Sequence, residues 1–350
     1  MQIFSSSNGA KIGTEKQAHT TISDLKNPSI CAIGEYNEKY VLCWYEDTDD
    51  HDDRSVNCQI YRSNDYSKVV DTFQANTFSA NNHMYPQISS VGDRKEKFLI
   101  TWIRHDPNGD DSNGYQIYSQ LFSSENRSKI GEEFKVNNYC SNCTHEFPSI
   151  ASIGEGKENF VLTWQRNNQS DVDHTYEIYA QLFSSESRSK IGEEFKVYTF
   201  LDSQQLNPKV CSLNNGNYFI IAWQSFDQEG DETDGIYAQI FNSSNGLKVG
   251  GDIEFHINTE TIGDQETPSI TALAQNGDDQ QFVITWKSNV YEASGYGIYA
   301  QKFNFNTASL ETRKIGEEYQ VNNYTNKDQI NPEITSIGKG DEKFCYHLAK

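Results

Sequence analysis

Aspartate and asparagine recur at close intervals in two segments of this chain, at alternate positions in Asp106-Pro-Asn108-Gly-Asp110 and more widely in the run from Asp227 through Asp231 to Asp234. Carboxylate and amide oxygens so spaced, with Gly109 and Gly230 letting the backbone turn, suit a hard cation that takes roughly six to eight oxygen ligands. Calcium is the ion expected, with Asp106, Asn108, Asp110, Asp227, Asp231 and Asp234 as its ligands. Neither segment carries the terminal glutamate of an EF-hand loop. The same residues also read as solvated acidic turns.

Cysteine offers a second chemistry. The chain has seven, so at least one is unpaired within it. Cys140-Ser-Asn-Cys143 with His145 nearby has a zinc-like spacing, but no second Cys or His pair follows, and a local disulfide or two free thiols fits better. Cys43 and Cys58 flank one hairpin and are placed to bridge across it if their Cβ atoms approach. No His-Glu-x-x-His, Gly-x-Ser-x-Gly or phosphate-binding glycine loop is present. The eight histidines fall at scattered positions. On these grounds the chain is expected not to be an enzyme.

The segments that must carry these loops repeat. Six of the seven prolines, Pro28, Pro86, Pro148, Pro208, Pro268 and Pro332, recur at intervals near sixty residues, and Trp44, Trp102, Trp164, Trp223 and Trp286 keep the same beat. One unit reads Pro148-Ser-Ile-Ala-Ser-Ile, Phe160-Val-Leu-Thr-Trp164, Glu177-Ile-Tyr-Ala-Gln-Leu-Phe183 and Lys190-Ile-Gly-Glu-Glu-Phe-Lys-Val197. These are four short runs rich in β-branched and aromatic residues, bounded by turn formers, and they predict four strands. Residues 121–136 and 182–197 differ only at Asn126 against Ser187. A meander of four antiparallel strands repeated in this way is the blade of a β-propeller. Immunoglobulin-like units need about 100 residues each, too many for this period. Burial of both blade faces explains why Phe-Val-Ile-Thr-Trp runs do not alternate strictly with polar residues. The tryptophans and the mid-strand tyrosines are then structural packing groups.

The fold expected is all-β, a single six-bladed propeller over residues 1–350. Blades run from about 28–85, 86–147, 148–207, 208–267 and 268–331, and the last combines 332–350 with 1–27. Gln2-Ile-Phe4 matches Gln239-Ile-Phe241, while Pro332 to Gly338 matches the start of the unit at Pro148. The N- and C-terminal strands therefore close the final blade. A sialidase-type Ser-x-Asp-x-Gly-x-x-Trp box is not found.

The succession Gly-Ile-Tyr-Ala-Gln-x-Phe, Lys-Ile-Gly-Glu-Glu, Val-Asn-Asn-Tyr-Thr, Asn-Pro-x-Ile and Phe-Val-x-Thr-Trp resembles the tandem repeats of large secreted or surface proteins of bacteria and protists. The resemblance spans essentially the whole chain. It implies propeller-like extracellular architecture and no assigned catalytic chemistry.

The formal charge is −21, from 29 basic and 50 acidic residues. That balance argues against nucleic acid, whose phosphates demand clustered Lys and Arg, and no apolar run is long enough to span a bilayer. The acidic loops between second and third strands should make one rim strongly negative and leave the other mixed. Met1-Gln-Ile-Phe-Ser lacks the pattern of a signal peptide, yet sequons at Asn126, Asn142, Asn168, Asn242 and Asn323 are expected to carry glycans in an exported glycoprotein. Together these features predict a non-catalytic extracellular or cell-surface module for adhesion or structural assembly into a surface, matrix or filament. Its partners would be copies of itself, other surface proteins or glycans. A calcium-dependent, lectin-like propeller is the alternative, and a glycoside hydrolase the third.

Overall fold

Five consecutive stretches each fold into an antiparallel meander in which neighbouring strands follow chain order. In the computed structural model, residues 3–4, 11–12, 24–47, 54–78, 82–105, 114–140, 142–168, 175–200, 203–228, 230, 232–251, 254–289, 295–323, 328–337 and 343–349 are described. The first blade comprises Asp24–Ile33, Lys39–Asp47, Val56–Arg62 and Phe73–Gln74, and the second His83–Val91, Lys97–His105, Tyr115–Ser123 and Lys129–Lys135. The third runs Cys143–Ile153, Asn159–Asn168, Tyr176–Ser184 and Lys190–Lys196. In the fourth, Gln205–Leu213, Tyr218–Phe226 and Asp234–Asn242 are followed by an outer strand split into Lys248–Val249 and Phe255–His256. The fifth is Gln265–Asn276, Asp279–Ser288, Gly297–Asn306 and Glu311–Gln320. The chain is thus an all-β propeller of four-stranded antiparallel blades. At the ends, Ile3–Phe4 pairs with Lys11–Ile12 and Ile330–Ile337 with Lys343–Ala349, and among the described residues these stay separate two-stranded sheets. The ladder expected to join the two ends is not formed there.

Each repeated motif has a mechanical task. Both blade faces are apolar because each packs on a neighbour: Val161, Ala180 and Leu182 of the third blade share a core with Phe219, Ile221 and Trp223 of the fourth. Phe160 and Phe183 lie opposite one another and stack with ring centroids 5.2 Å apart, an arrangement repeated by Phe98–Phe122, Phe219–Phe241 and Phe282–Phe303. All five tryptophans are buried. Trp223 and Trp286 each donate their indole N–H to a buried glutamine, Gln205 and Gln265.

The Ile-Tyr-Ala-Gln glutamine spans a break in the ladder between the third and fourth strands. Gln181 Nε2 donates to the Gly192 carbonyl at 3.2 Å and Gln301 Nε2 to Gly316 at 3.3 Å. Both glycines sit near φ +68 and +69, a left-handed turn that any side chain would strain. Lys-Ile-Gly-Glu-Glu is an inter-blade clamp. The second glutamate accepts a backbone N–H from the preceding blade, as in Glu133 with Thr77 and Glu194 with Asn138, both at 2.8 Å, while Lys129 and Lys190 grip the same two residues. An asparagine that follows Val136 or Val321, or Ala75 or Ile257 in their place, accepts the first buried N–H of the third strand, in Asn76 from Val56, Asn137 from Ile117, Asn258 from Ile236 and Asn322 from Ile298. These residues recur because every blade needs the same backbone groups satisfied.

Candidate active site

The prolines mark the channel wall. In each innermost strand the ladder shifts register around the proline, for example between Glu146 and Ser149 and between Glu266 and Ser269. Proline has no N–H to give to a ladder, so a bulge is where a strand tolerates it. The preceding residue is forced to positive φ every time: Asn27 (46), Tyr85 (54), Phe147 (50), Asn207 (54), Thr267 (51) and Asn331 (50). Members of all six strands line one cavity of about 550 Å³, a volume suited to a small ligand.

Two repeat positions meet at one end of the blades, one of them next in the chain to the residues that line this cavity. The residue two before each proline is Lys26, Met84, Glu146, Leu206, Glu266 or Ile330. The residue two before the buried aliphatic of each third strand is Arg54, Tyr115, Tyr176, Asp234 or Tyr296. Successive blades bring one of each together: the Arg54 guanidinium touches Met84 Sδ at 3.1 Å, Tyr115 feels the charge of Glu146, and Asp234 that of Glu266.

Where the fourth and fifth blades meet, the repeat gives way to charge. Glu266 pairs with Lys287 Nζ at 2.7 Å and accepts a hydrogen bond from the Tyr296 hydroxyl at 3.1 Å. Lys287 also lies 4.5 Å from the centre of the Tyr296 ring. Burial, then the Glu266 charge, pushes the Tyr296 hydroxyl up to about 12. Half-buried Asp234 is pushed up to about 6, chiefly by burial, then by the negative charges of Glu266 and Asp264, against a hydrogen bond from Gln224 and the charge of Lys287. Asn289 holds Asp264 in place, accepting its backbone N–H at 2.9 Å and donating to its carboxylate at 3.1 Å. The Gln224 carbonyl accepts from Asn207 Nδ2 at 2.9 Å and from the Thr267 N–H at 3.3 Å, linking Asp234 to the channel wall. A carboxyl raised to about 6, in the field of a second carboxylate that is paired with a lysine, is an arrangement general acid catalysis can use.

Of the sequence-predicted cation ligands, two are described, and they close the same hairpin end, where Phe226 pairs with Asp234 and the Asp227 N–H donates to the Thr233 carbonyl at 2.8 Å. Asp234 belongs to the rim just described, whereas Asp227 accepts the Glu232 N–H at 2.9 Å and closes its own turn. Asp106, Asn108, Asp110 and Asp231 lie outside the described residues. Among the described residues no three His, Cys, Asp or Glu side chains gather as a metal site. Cys43 is bonded to Cys58 and Cys140 to Cys143. His145 faces the Tyr115 carbonyl and Asn137, and burial, aided by the Arg166 charge, pulls it down to about 3. The sequon asparagines Asn126, Asn142 and Asn323 are exposed, while Asn168 and Asn242 are partly covered. Glu146, Asp264, Glu266, Lys287 and Tyr296 were not singled out from sequence. Aligning the units on their prolines would have flagged Glu146 and Glu266, which share a column with Met84 and Leu206.

The fold and this rim define a β-propeller with a carboxylate cluster at its channel mouth. Among solved structures, the chain is similar to an α-L-arabinanase from Penicillium chrysogenum complexed with arabinobiose, at 13% identity and a TM-score of 0.59 over 93% of this chain and 88% of that one. It is likewise similar to an α-L-arabinofuranosidase from Fusarium graminearum in complex with an iminosugar inhibitor, at 11% identity and a TM-score of 0.57, with the same coverages. No family model matches the sequence, and no curated protein matches it. The likeness is one of fold, and it corrects two expectations. A non-catalytic module for adhesion or structural assembly, and the absence of enzyme character, were inferred from repetition and missing motifs; the similar propellers are glycosidases. The physical reason is that repetition governs the scaffold positions, while the mouth positions are free to diverge.

Proposed function

We propose that the chain is a glycoside hydrolase that binds a polysaccharide over the channel mouth and cleaves it between the fourth and fifth blades. Asp234 donates the proton to the leaving sugar oxygen, and Glu266, paired with Lys287, acts as base or nucleophile. Glycosidic cleavage needs one protonated and one ionised carboxyl group flanking the bond. The observation that carries this reading is the Glu266 carboxylate held by Lys287 and Tyr296 where the fourth and fifth blades meet, its negative charge felt by half-buried Asp234. Arabinan is the first substrate to test, because the similar arabinanase holds arabinobiose. An extracellular site of action and glycans at the exposed sequons suit a polymeric substrate.

We infer as well that the two terminal pairs form the halves of a sixth blade. Asn331 and Pro332 line the channel as their five counterparts do, and Glu333 reaches Lys209 at 3.1 Å and Ser269 at 3.2 Å. The deciding experiment is release of reducing sugar from arabinan, xylan and β-glucan by wild type, Asp234→Asn and Glu266→Gln. Hydrolysis of one polymer that both variants lose supports the assignment; no hydrolysis of any, or hydrolysis that both variants retain, refutes it.

A further inference from the structure

The channel mouth has a second furnished side, between the second and third blades. Three of the six pre-proline residues are asparagine, the residue besides glycine that best tolerates a left-handed backbone. Tyr85 and Phe147 occupy the same conformation, at φ 54 and 50, although an aromatic residue gains nothing there from backbone geometry. Strain of this kind, of order 1–3 kcal/mol per residue, persists where the surroundings require the side chain. Interior packing is not the full requirement, since Phe147 is 45% exposed. The two rings instead meet at a tilt of 44° with centroids 5.9 Å apart, and Tyr45 backs Tyr85 at 5.9 Å from within the core. Tyr85 and Phe147 both line the 550 Å³ cavity, next to the amide groups of Gln87 and Asn207.

We propose that Tyr85 and Phe147 form a carbohydrate-binding subsite that stacks the face of a neutral sugar ring, with Gln87 and Asn207 meeting its hydroxyls. An aromatic face with polar groups at its edge is how a half-exposed site covers the C–H surface of a sugar while satisfying its oxygens. The subsite deepens the hydrolase reading by placing a further sugar unit across the mouth from Asp234 and Glu266. It rests on that reading only for its purpose, since binding here needs no chemistry.

The test exploits the backbone. Tyr85→Asn and Phe147→Asn remove the platform and install the residue that other blades use at the same φ, so each variant should melt at or above the wild-type temperature. Binding of arabinohexaose, xylohexaose and cellohexaose is measured by titration calorimetry in the Asp234→Asn background. We expect one of them to bind and each Asn variant to weaken it at least about tenfold. Unchanged affinity, no binding of any oligosaccharide at millimolar concentration, or a loss of binding matched by a lower melting temperature overturns the proposal. Binding that depends on Tyr85 and Phe147 in a protein that hydrolyses nothing upholds the subsite and sinks the hydrolase. Hydrolysis indifferent to both substitutions does the reverse.

Discussion

Glu146 and Glu266 stand at the same position of two blades, each two residues before a channel proline, and they live in different electrostatic worlds. Glu146 receives a hydrogen bond from Gln165 at 3.4 Å, and burial holds its carboxyl above the usual carboxylate range. Glu266 has Lys287 where Glu146 has Gln165, and Asp234 where Glu146 has Tyr115. The comparison teaches that the bulge fixes where a carboxylate sits, while the neighbour across the strand pair decides whether it meets an amide or a cation. A neutral amide stabilises either protonation state; a lysine favours only the ionised one.

The largest effect should come from removing the acid–base pair. Asp234→Asn and Glu266→Gln are each expected to lower kcat/KM on the cleaved polysaccharide roughly 100- to 10,000-fold. Activity should also fall as pH rises through about 6, where Asp234 loses its proton. A pH profile flat from 5 to 8 would break the assignment of Asp234 as the donor.

Converting one region into the other comes next. Lys287→Gln copies Gln165 into the fifth blade, which removes the ion pair that holds Glu266 and should lower kcat/KM roughly tenfold. The same change removes a half-buried charged hydrogen bond and should cost about 1.5–3 kcal/mol in urea denaturation. An unchanged kcat/KM would mean that Lys287 does not position Glu266.

A smaller effect concerns stability and follows from linkage. The folded state holds Asp234 above its unfolded value, so it binds more protons than the unfolded chain between about pH 4 and 6. Stability therefore falls as pH rises across that window, and the penalty is fully present above it. Asp234→Asn should raise the melting temperature at pH 7 by about 2 °C and leave it nearly unchanged at pH 4. Equal shifts at both pH values would show that the carboxyl is not destabilised by its surroundings. Smallest of all should be Glu146→Gln, with less than about a fivefold change in kcat/KM, against the far larger loss at Glu266. If the two glutamine variants lose activity equally, the distinction between the regions is gone.

Much of the scaffold was legible because it is repeated. Six prolines in phase encode six bulged strands, and the Gln, Lys-Ile-Gly-Glu-Glu and Val-Asn motifs encode bonds that recur from blade to blade. The rim was only half legible. Glu146 and Glu266 are visible as departures from the apolar column of Met84 and Leu206, and Asp234 was noticed for a different role, as a cation ligand beside Asp227. Its neighbours in the chain suggested a loop chelate, whereas its neighbours in space are Glu266, Asp264 and Gln224.

Sequence alone settled the strand count per unit, the period and the places where backbone groups need a side-chain partner, since those depend on residues close together in the chain or copied at a fixed interval. Only the packing of one blade on the next decided which carboxyl keeps its proton. Burial and the distance between charges belong to two sheets at once, and no single unit of the repeat contains them.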